Sequence, residues 1–377
     1  MKYNITGCQI VGTSHFHRFV DARISRLLNH ETVANIITAR HAPPQKQKRN
    51  VLKQAKQASY CLSLAREYSK TAIHSTLATK PVLLYYSIMN YALAEILVKN
   101  DGSKSLDSNR AEHAHHGLEI SFPAKLPSNL SLKEAASALR AKPHTKQNGR
   151  RSGTFNLWHE TSRETIVLGK IIREHTETYG PVLSPSPKRL PEIASGGISL
   201  LECLQYMPSL TAELSHEGIN SNYLRGRIYA EVINGKAVTN ILVHPNKLEM
   251  IEALKNSMHF SAQLIEDVNV VEYDAGFSIS IAKPAERPFG FNLPMITSLT
   301  RDEQRLCCTH SPINEFGAFL AALFILGNLC RYFPDLWLDH VTANSSLAIF
   351  AEVLCEEFYH RVPCLLLAEL TQHLFVE

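Results

Sequence analysis

The sequence predicts a mainly α-helical protein that carries a small α+β insert. Apolar residues recur at helical spacing over residues 50–77 and 81–99, and residues 315–331 form another almost wholly apolar helical segment. Short segments rich in β-branched residues cluster instead between residues 223 and 283. We therefore expect the C-terminal helices to pack with the N-terminal ones, so that the mixed unit interrupts a single helical core.

The N-terminal elements follow from apolar spacing and from turn residues. Residues 15–40 have the spacing of two short helices, and a further short helix is expected near residues 131–140. Pro81 suits the first position of the apolar helix, and Gly102 lies just past its end. Four prolines and a glycine pair favour a linker over residues 180–197.

The insert is expected to have the order β-β-α-β-β. Asn234-Gly235 is a good two-residue hairpin turn between two strand-like segments. Pro245 then begins a segment with helical spacing, and two more strand-like segments flank Ala275-Gly276. The expected product is a compact sheet covered by at least one helix.

The C-terminal part is expected to be helical from residue 315 to the end. The mostly apolar fourteen-residue segment at 317–330 would span about 21 Å as a helix, short of the roughly 30 Å hydrocarbon core of a membrane. This segment is therefore interpreted as a buried core helix. Two further helices are predicted at residues 345–359 and 362–375.

Composition excludes several classes of function. The 377 residues hold 39 basic and 35 acidic side chains, and the net charge of +4 permits contact with nucleic acid without demanding it. The eight cysteines form no Cys-x-x-Cys pair, so we expect reduced thiols and no zinc centre. There is no phosphate-binding glycine loop and no nucleophile elbow, so we expect no cofactor. The N-terminus has no apolar stretch, which predicts no signal peptide, a cytoplasmic location and no membrane partner.

Three segments resemble the YaaC-like family of bacterial proteins. Residues 80–97 (KPVLLYYSIMNYALAEIL) are similar to that family's proline-led helix with paired tyrosines, and residues 115–120 (HHGLEI) to its His-Gly-Leu step. Residues 324–337 (FILGNLCRYFPDLW) are similar to its Arg-Tyr-x-Pro-x-x-Trp element. The order and spacing fit over most of the chain. The resemblance implies a fold rather than a reaction, because the family has no settled biochemical activity.

A wider resemblance links residues 50–118 to the core of HEPN helical bundles, in which a Tyr-Tyr helix precedes a loop with a His-Gly step. It implies a HEPN-like core at residues 50–118. The sequence pattern places this core in an N-terminal helical region of residues 1–215, followed by an α+β unit at 216–300 and by C-terminal helices at 301–377 that pack on the N-terminal bundle. Many HEPN proteins act in RNA cleavage, toxin–antitoxin pairs or phage defence. The matching residues are Tyr85, Tyr86, Met89, Ala92, Ala94, His116 and Gly117.

Arg110 and His115 match the arginine-to-histidine spacing of HEPN ribonucleases. A metal-free ribonuclease needs a cation beside the scissile phosphate and a group of near-neutral pKa, which are roles for arginine and for His115 or His116. On a straight helix Arg110 and His115 would point about 140° apart, so they would cooperate only across a bend or with a second subunit. The alternatives are a structural turn and a metal site that adds Glu112 and His113.

Candidate binding residues lie on the apolar helix and in the loop after it. Tyr85, Tyr86 and Asn90 are polar side chains on that mostly apolar helix, and Tyr86 shares a face with Asn90. A buried asparagine needs a partner, either on another helix or at the polar floor of a pocket near His116. Gly117 is expected to let the backbone turn.

Arg331 ends the apolar C-terminal helix, and Pro334 makes the chain turn directly after it. A cation suits a helix C-terminus electrostatically. We expect Arg331 either to pair with a carboxylate such as Glu95 or Glu315, or to bind an anion such as phosphate. Trp337 is expected to be a packing anchor.

Three functions remain open at this point. The first is a non-enzymatic or weakly enzymatic HEPN-like component of a bacterial stress or anti-phage defence system, which contacts RNA or a partner protein encoded nearby and can form a homodimer. The second is a metal-independent ribonuclease that uses Arg110 with His115 or His116. The third is a nucleotide or small-molecule binding protein with its pocket between bundle and insert.

Overall fold

The computed structural model describes residues 7–12, 15–108, 110–162, 167–173, 176–182, 190–234, 236–243, 268–273, 276–285, 296–298, 304–307 and 312–376. In these residues the protein is mainly helical with smaller sheets, which confirms the predicted fold class. The helices are α1 Phe16–Arg26, α2 His30–His41, α3 Lys48–Ile73, α4 Lys80–Val98, α5 Arg110–His113, α6 Leu132–Ala138, α7 Thr154–Thr161, α8 Leu200–Gln205, α9 Thr211–His216, α10 Glu315–Tyr332, α11 Pro334–Thr342 and α12 Ser346–Thr371. The strands are β1 Gly7–Ile10, β2 Leu118–Ser121, β3 Arg140–Pro143, β4 Val167–Arg173, β5 Thr176–Val182, β6 Ile198–Ser199, β7 Tyr223–Ile233, β8 Lys236–Val243, β9 Val268–Tyr273, β10 Gly276–Ala285, β11 Ile296–Ser298, β12 Gln304–Cys307 and β13 His373–Val376.

Helix α4 is the central helix of the bundle. Pro81 lies in its first turn, where a missing backbone N–H is harmless, and most residues of the helix are buried. The helix packs against α3, α7, α10 and α12. Because α3 comes from the N-terminal part of the chain and α10 and α12 from its end, both parts share one hydrophobic core.

Within the residues that the structure describes, helices α4 and α10 are long and apolar enough to cross a membrane. Of their most apolar windows, 72% and 78% respectively are buried inside the protein. A helix that is apolar on all sides and covered by its neighbours is typical of the centre of a bundle. These two helices are core elements of the fold.

The end of the chain differs from the prediction. The two helices expected at residues 345–359 and 362–375 are one continuous helix, α12, with Pro363 in its interior. Ser345 caps the first turn by accepting a hydrogen bond from the backbone N–H of Ala348. A proline removes one hydrogen bond, but burial continues on both sides of it through Val362 and Leu366, so packing holds the helix together.

Helix α7 was not expected from the sequence. Its central residue Trp158 is fully buried, and its indole N–H donates to the Glu95 carboxylate of α4 over 2.9 Å. Gly317 of α10 leaves room for this ring, since a Cβ at that position would lie 2.8 Å from it. Trp158 therefore holds α7 against α4 and α10.

Two buried ionic groups join the C-terminal helix to the rest of the bundle. The Lys99 ammonium donates to the carboxylate of Glu95, and lies 2.8 Å from that of Glu369 on α12. Burial alone would lower the pKa of Lys99, but the carboxylates of Glu369 and Glu95 outweigh it and raise that pKa. Arg361 of α12 pairs bidentately with buried Glu315 of α10 over 2.7 and 2.8 Å.

The sheet elements include the predicted strands and several others. The hairpin of β7 and β8 about Asn234 is confirmed, as is the pairing of β9 with β10. The helix expected after Pro245 lies outside the described residues. The sheet has the order β11-β12-β7-β8-β10-β9, with β4 pairing in parallel to β7 and antiparallel to β5. Strands β4 and β5 lie where no strand was predicted, and β5 extends into the expected linker.

Two smaller sheets lie against the bundle. Strands β2, β3 and β6 form an antiparallel sheet that follows the His-Gly step directly. Strands β1 and β13 pair in parallel, with Gly7 opposite His373. This pairing and the contact of α1 with α12 bring the two ends of the described chain together.

His340 should make the stability of the protein depend on pH. The imidazole is buried, and its nitrogens lie 2.8 Å from the hydroxyl of Ser345 and 3.0 Å from the carbonyl oxygen of Leu126. Burial lowers the pKa of His340, so the unfolded chain takes up the proton first as the pH falls below about 6.5. We expect the free energy of unfolding to decrease from about pH 7.5 to about pH 5.5, and His340→Gln to make that decrease smaller. Urea unfolding at both pH values measures this, and an unchanged pH dependence in the variant would contradict it.

Candidate functional site

The His115-His116-Gly117 turn is held against the start of helix α7. The carbonyl oxygen of His115 accepts a hydrogen bond from Thr154 N–H over 3.0 Å, and that of His116 accepts one from Phe155 N–H over 2.9 Å. Gly117 has a φ of 88°, a conformation that favours glycine, so the expected backbone turn is present. The backbone of the turn thus satisfies the first N–H groups of α7 and fixes where both imidazoles project.

Glu112 makes two polar contacts at this helix start. One carboxylate oxygen lies 2.8 Å from the Lys146 ammonium, and the other accepts a hydrogen bond from Gly153 N–H over 3.3 Å. The bond from Lys146 lowers the pKa of Glu112. His113 lies 3.3 Å from the hydroxyl of Thr154. The described residues contain no group of three or more metal-ligating side chains, so nothing in them supports the metal alternative.

Arg110 and His115 make contacts with different neighbours. Arg110 begins the short helix α5, is exposed, and acts electrostatically on Asp107. His115 lies beyond the end of that helix and stacks on His144, with ring centres 5.3 Å apart. Neither a hydrogen bond nor a ring contact joins Arg110 to His115 in the described part of the chain. Their joint catalytic role remains a prediction.

Tyr85 lies beneath His116 with its hydroxyl unpaired. The residue is only 2% exposed, and its ring packs edge-on against His116 at 5.5 Å and against Phe324 at 5.7 Å. The hydroxyl has no hydrogen-bond partner among the described residues. Burial raises the pKa of Tyr85, while the charge of Arg331 opposes that rise. A buried hydroxyl without a partner costs about 1–3 kcal/mol, which points to a ligand or water at this position.

The Arg331 guanidinium contacts two aromatic rings. It lies 5.5 Å from the ring centre of Tyr86 and 4.7 Å from that of Tyr332, which is 58% exposed. Tyr86 in turn stacks on Tyr68, with ring centres 5.4 Å apart. The resulting cation–π contacts hold the guanidinium in place on the outside of the protein without neutralising its charge.

The carboxylates expected to pair with Arg331 bind other residues. Glu95 accepts hydrogen bonds from Lys99 and Trp158, and Glu315 is held by Arg361. No acidic side chain lies within ion-pair distance of Arg331 in the part of the chain that the structure describes. The expectation of an ion pair with either glutamate is therefore wrong.

His116 completes this surface. Partial burial of its ring lowers the pKa of His116, and the charge of Arg331 lowers it further. The residue remains accessible to solvent and is largely neutral near pH 7. We call this group the Arg331 surface. It comprises Tyr68, Tyr85, Tyr86, His116, Arg331 and Tyr332.

The predicted site residues divide into those that the fold brings together and those that it does not. Tyr85, Tyr86, His116 and Arg331 meet at the Arg331 surface. Asn90 instead donates to the carbonyl oxygen of Tyr86 in its own helix, over 2.8 Å. The missed residues are Tyr68 and Tyr332. Tyr332 directly follows Arg331 in the sequence and could have been included, whereas no signal marked Tyr68.

Comparison with known proteins identifies one family. The model of the family described as YaaC-like Protein matches residues 25–370, a range that contains every residue of the Arg331 surface. No curated protein and no solved structure matches the chain. The resemblance to HEPN proteins gains no support from these comparisons.

Proposed function

The chain belongs to the YaaC-like family, and we propose that it binds single-stranded RNA through the Arg331 surface. One observation carries the proposal. An arginine without a carboxylate partner in the described residues contacts two tyrosine rings, and its charge acts on a solvent-accessible imidazole and on buried Tyr85, whose hydroxyl is unpaired. This combination offers both a phosphate site and stacking surfaces.

The phosphate contact would come from Arg331. Its guanidinium has donors in a planar fork that matches two phosphate oxygens, and no protein anion competes for them in the described residues. The Tyr85 hydroxyl can donate one further hydrogen bond, which would satisfy the only polar atom of that side chain. His116 can donate another from its neutral ring.

The base contacts would come from the tyrosines. Tyr332 is largely exposed, and Tyr86, which stacks on Tyr68, contacts the same guanidinium. Each base stacked on an aromatic ring contributes about 1–3 kcal/mol with little sequence preference. His144, stacked on His115, lies within the basic segment at residues 142–151 and could extend the path for a strand.

Substituting Arg331 tests the proposal directly. We expect Arg331→Gln to weaken binding of a labelled single-stranded RNA of about ten nucleotides by roughly tenfold or more, because hydrogen bonds to a charged group are lost. The slope of log affinity against log salt should decrease by about 0.7, the value of one phosphate contact. Fluorescence anisotropy at several salt concentrations measures both quantities.

A matched control is Arg23→Gln. Arg23 also lies over an aromatic ring, 5.1 Å from the centre of Phe19, but on α1 rather than at the Arg331 surface. We expect this control to leave RNA binding unchanged. Equal weakening in both variants, or affinity independent of salt, would contradict the proposal.

Tyr85→Phe provides a second discriminating variant. It removes the unpaired hydroxyl while keeping the ring, so the melting temperature should stay the same or rise slightly. RNA binding should nevertheless weaken by about fivefold, because one hydrogen bond to the phosphate is lost. A variant that binds RNA more weakly but melts no lower than the wild type would show that the hydroxyl acts in binding rather than in packing.

A metal-independent ribonuclease is the second candidate, and the nearness of His116 to Arg331 favours it. A neutral imidazole could take the proton of a 2′-hydroxyl while the arginine holds the adjacent phosphate. The same RNA incubated in EDTA and separated on a denaturing gel tests this. Cleavage lost in His116→Ala and Arg331→Ala but kept in Arg110→Ala would assign the reaction to this pair. Intact RNA at micromolar protein would end this candidate and leave binding as the function.

A further inference from the structure

Two exposed histidines face each other where the first and last helices meet. His17 projects from α1 and His360 from α12, with His17 Nε2 only 2.9 Å from His360 Nδ1. The two ring centres are 4.4 Å apart and the ring planes are inclined by 60°. This pair is separate from the Arg331 surface and takes no part in the proposed RNA contact.

The separation of the rings is too short for a head-on hydrogen bond. A linear N–H···N bond of this length would place the ring centres about 5 Å apart, because each centre lies behind its nitrogen. At 4.4 Å the two rings instead meet at an angle. The hydrogen bond between the two nitrogens is therefore bent, and at least one ring directs its nitrogen to the side of the line that joins them.

The same geometry suits two ligands of one metal ion. With metal–nitrogen distances of about 2.0–2.1 Å, nitrogens at a right angle around an ion lie about 2.9 Å apart, and nitrogens at the tetrahedral angle about 3.3 Å. The observed 2.9 Å matches the right angle. Right angles between neighbouring ligands are the preference of Ni²⁺ and Cu²⁺ in octahedral or square-planar sites, whereas Zn²⁺ prefers a tetrahedron.

We propose that His17 and His360 form a binding site for a divalent transition-metal ion of the Ni²⁺ or Cu²⁺ type. Imidazole nitrogens suit such ions, and the exposure of both rings gives the ion a path from solvent. No third histidine, cysteine or carboxylate gathers with the pair in the described residues, so the other positions go to water or to an added ligand. A bound ion would link α1 to α12 and stabilise the folded state, because it binds the unfolded chain less well.

Nickel binding to untagged protein tests the proposal. We expect Ni²⁺ to raise the melting temperature of the wild type, and either His17→Gln or His360→Gln to abolish the rise and weaken nickel binding by roughly tenfold or more. Calorimetric titration with Ni²⁺ measures the affinity, and Zn²⁺ in the same titration should bind more weakly. Melting temperatures without metal that match the wild type would show that both variants fold.

The control is His30→Gln, an exposed histidine at the start of α2. It should bind nickel as the wild type does, because it lies outside the pair. Affinity for nickel that is unchanged in the double variant His17→Gln, His360→Gln would overturn the proposal, as would an equal loss in the His30 control.

Discussion

We expect Lys99→Met to lower the free energy of unfolding by about 3–5 kcal/mol, the usual cost of breaking a buried ion pair by removing one partner. Lys99 is 1% exposed and lies within bonding distance of both the Glu95 and the Glu369 carboxylates. Methionine keeps most of the side-chain length, so the loss would come mainly from the buried Glu95 carboxylate and the half-buried Glu369 carboxylate left without the Lys99 cation. Urea unfolding of the variant and the wild type measures the difference.

An exposed ion pair on α3 provides the control for Lys99. Lys53 lies 2.6 Å from Asp107, but both side chains are more than half exposed, so Lys53→Met should change stability little. Adding Glu95→Gln to Lys99→Met should recover part of the loss, because one of the two repelling carboxylates becomes neutral. A single variant as stable as the wild type would show that Lys99 does not hold α12 onto α4.

Gly153→Ala should have the second large effect and should also disturb the site. Gly153 has φ 99° and ψ 167°, a conformation almost restricted to glycine. A Cβ there would lie 2.3 Å from the Gly117 Cα, and no flexible side chain could move to relieve the clash. Together, backbone strain and overpacking should cost about 3 kcal/mol or more.

The control for Gly153 is Gly149→Ala. Gly149 also has a positive φ, of 77°, but a Cβ there would meet nothing within 4 Å. Strain alone should then cost about 1–2 kcal/mol. We expect Gly153→Ala, but not Gly149→Ala, to weaken RNA binding, because only Gly153 contacts the turn that carries His116. Equal losses of stability in the two variants would contradict the explanation that residue 153 must be glycine because its backbone packs directly against Gly117.

Much of the helical core could be predicted because its signals are local. Pro81 and a continuous apolar pattern indicate helix α4, and apolar composition alone indicates α10. Helix α7 could not be found in this way, because it is short and is held by the hydrogen bond from Trp158 to Glu95, which joins distant parts of the chain. The break expected between residues 359 and 362 was wrong, because tertiary packing keeps α12 continuous even though Pro363 removes one backbone hydrogen bond.

The candidate site could be predicted only in part, because its residues come from distant parts of the sequence. The spacing of Arg110 and His115 suggested a pair, but the arginine whose charge acts on His116 is Arg331, from the other end of the sequence. Only the fold brings residues so far apart in the chain together. Neither the domain boundaries nor the role in stress or anti-phage defence is tested by the structure, so both remain predictions.

The central position of α4 has a consequence for biosynthesis. This helix leaves the ribosome long before α10 and α12, the partners that cover two of its sides, have been translated. During that interval its apolar surface would be open to other nascent chains, so full-length folding should benefit from chaperones. Ribosome-bound chains that stop before residue 315 should accordingly be protease-sensitive and prone to aggregate.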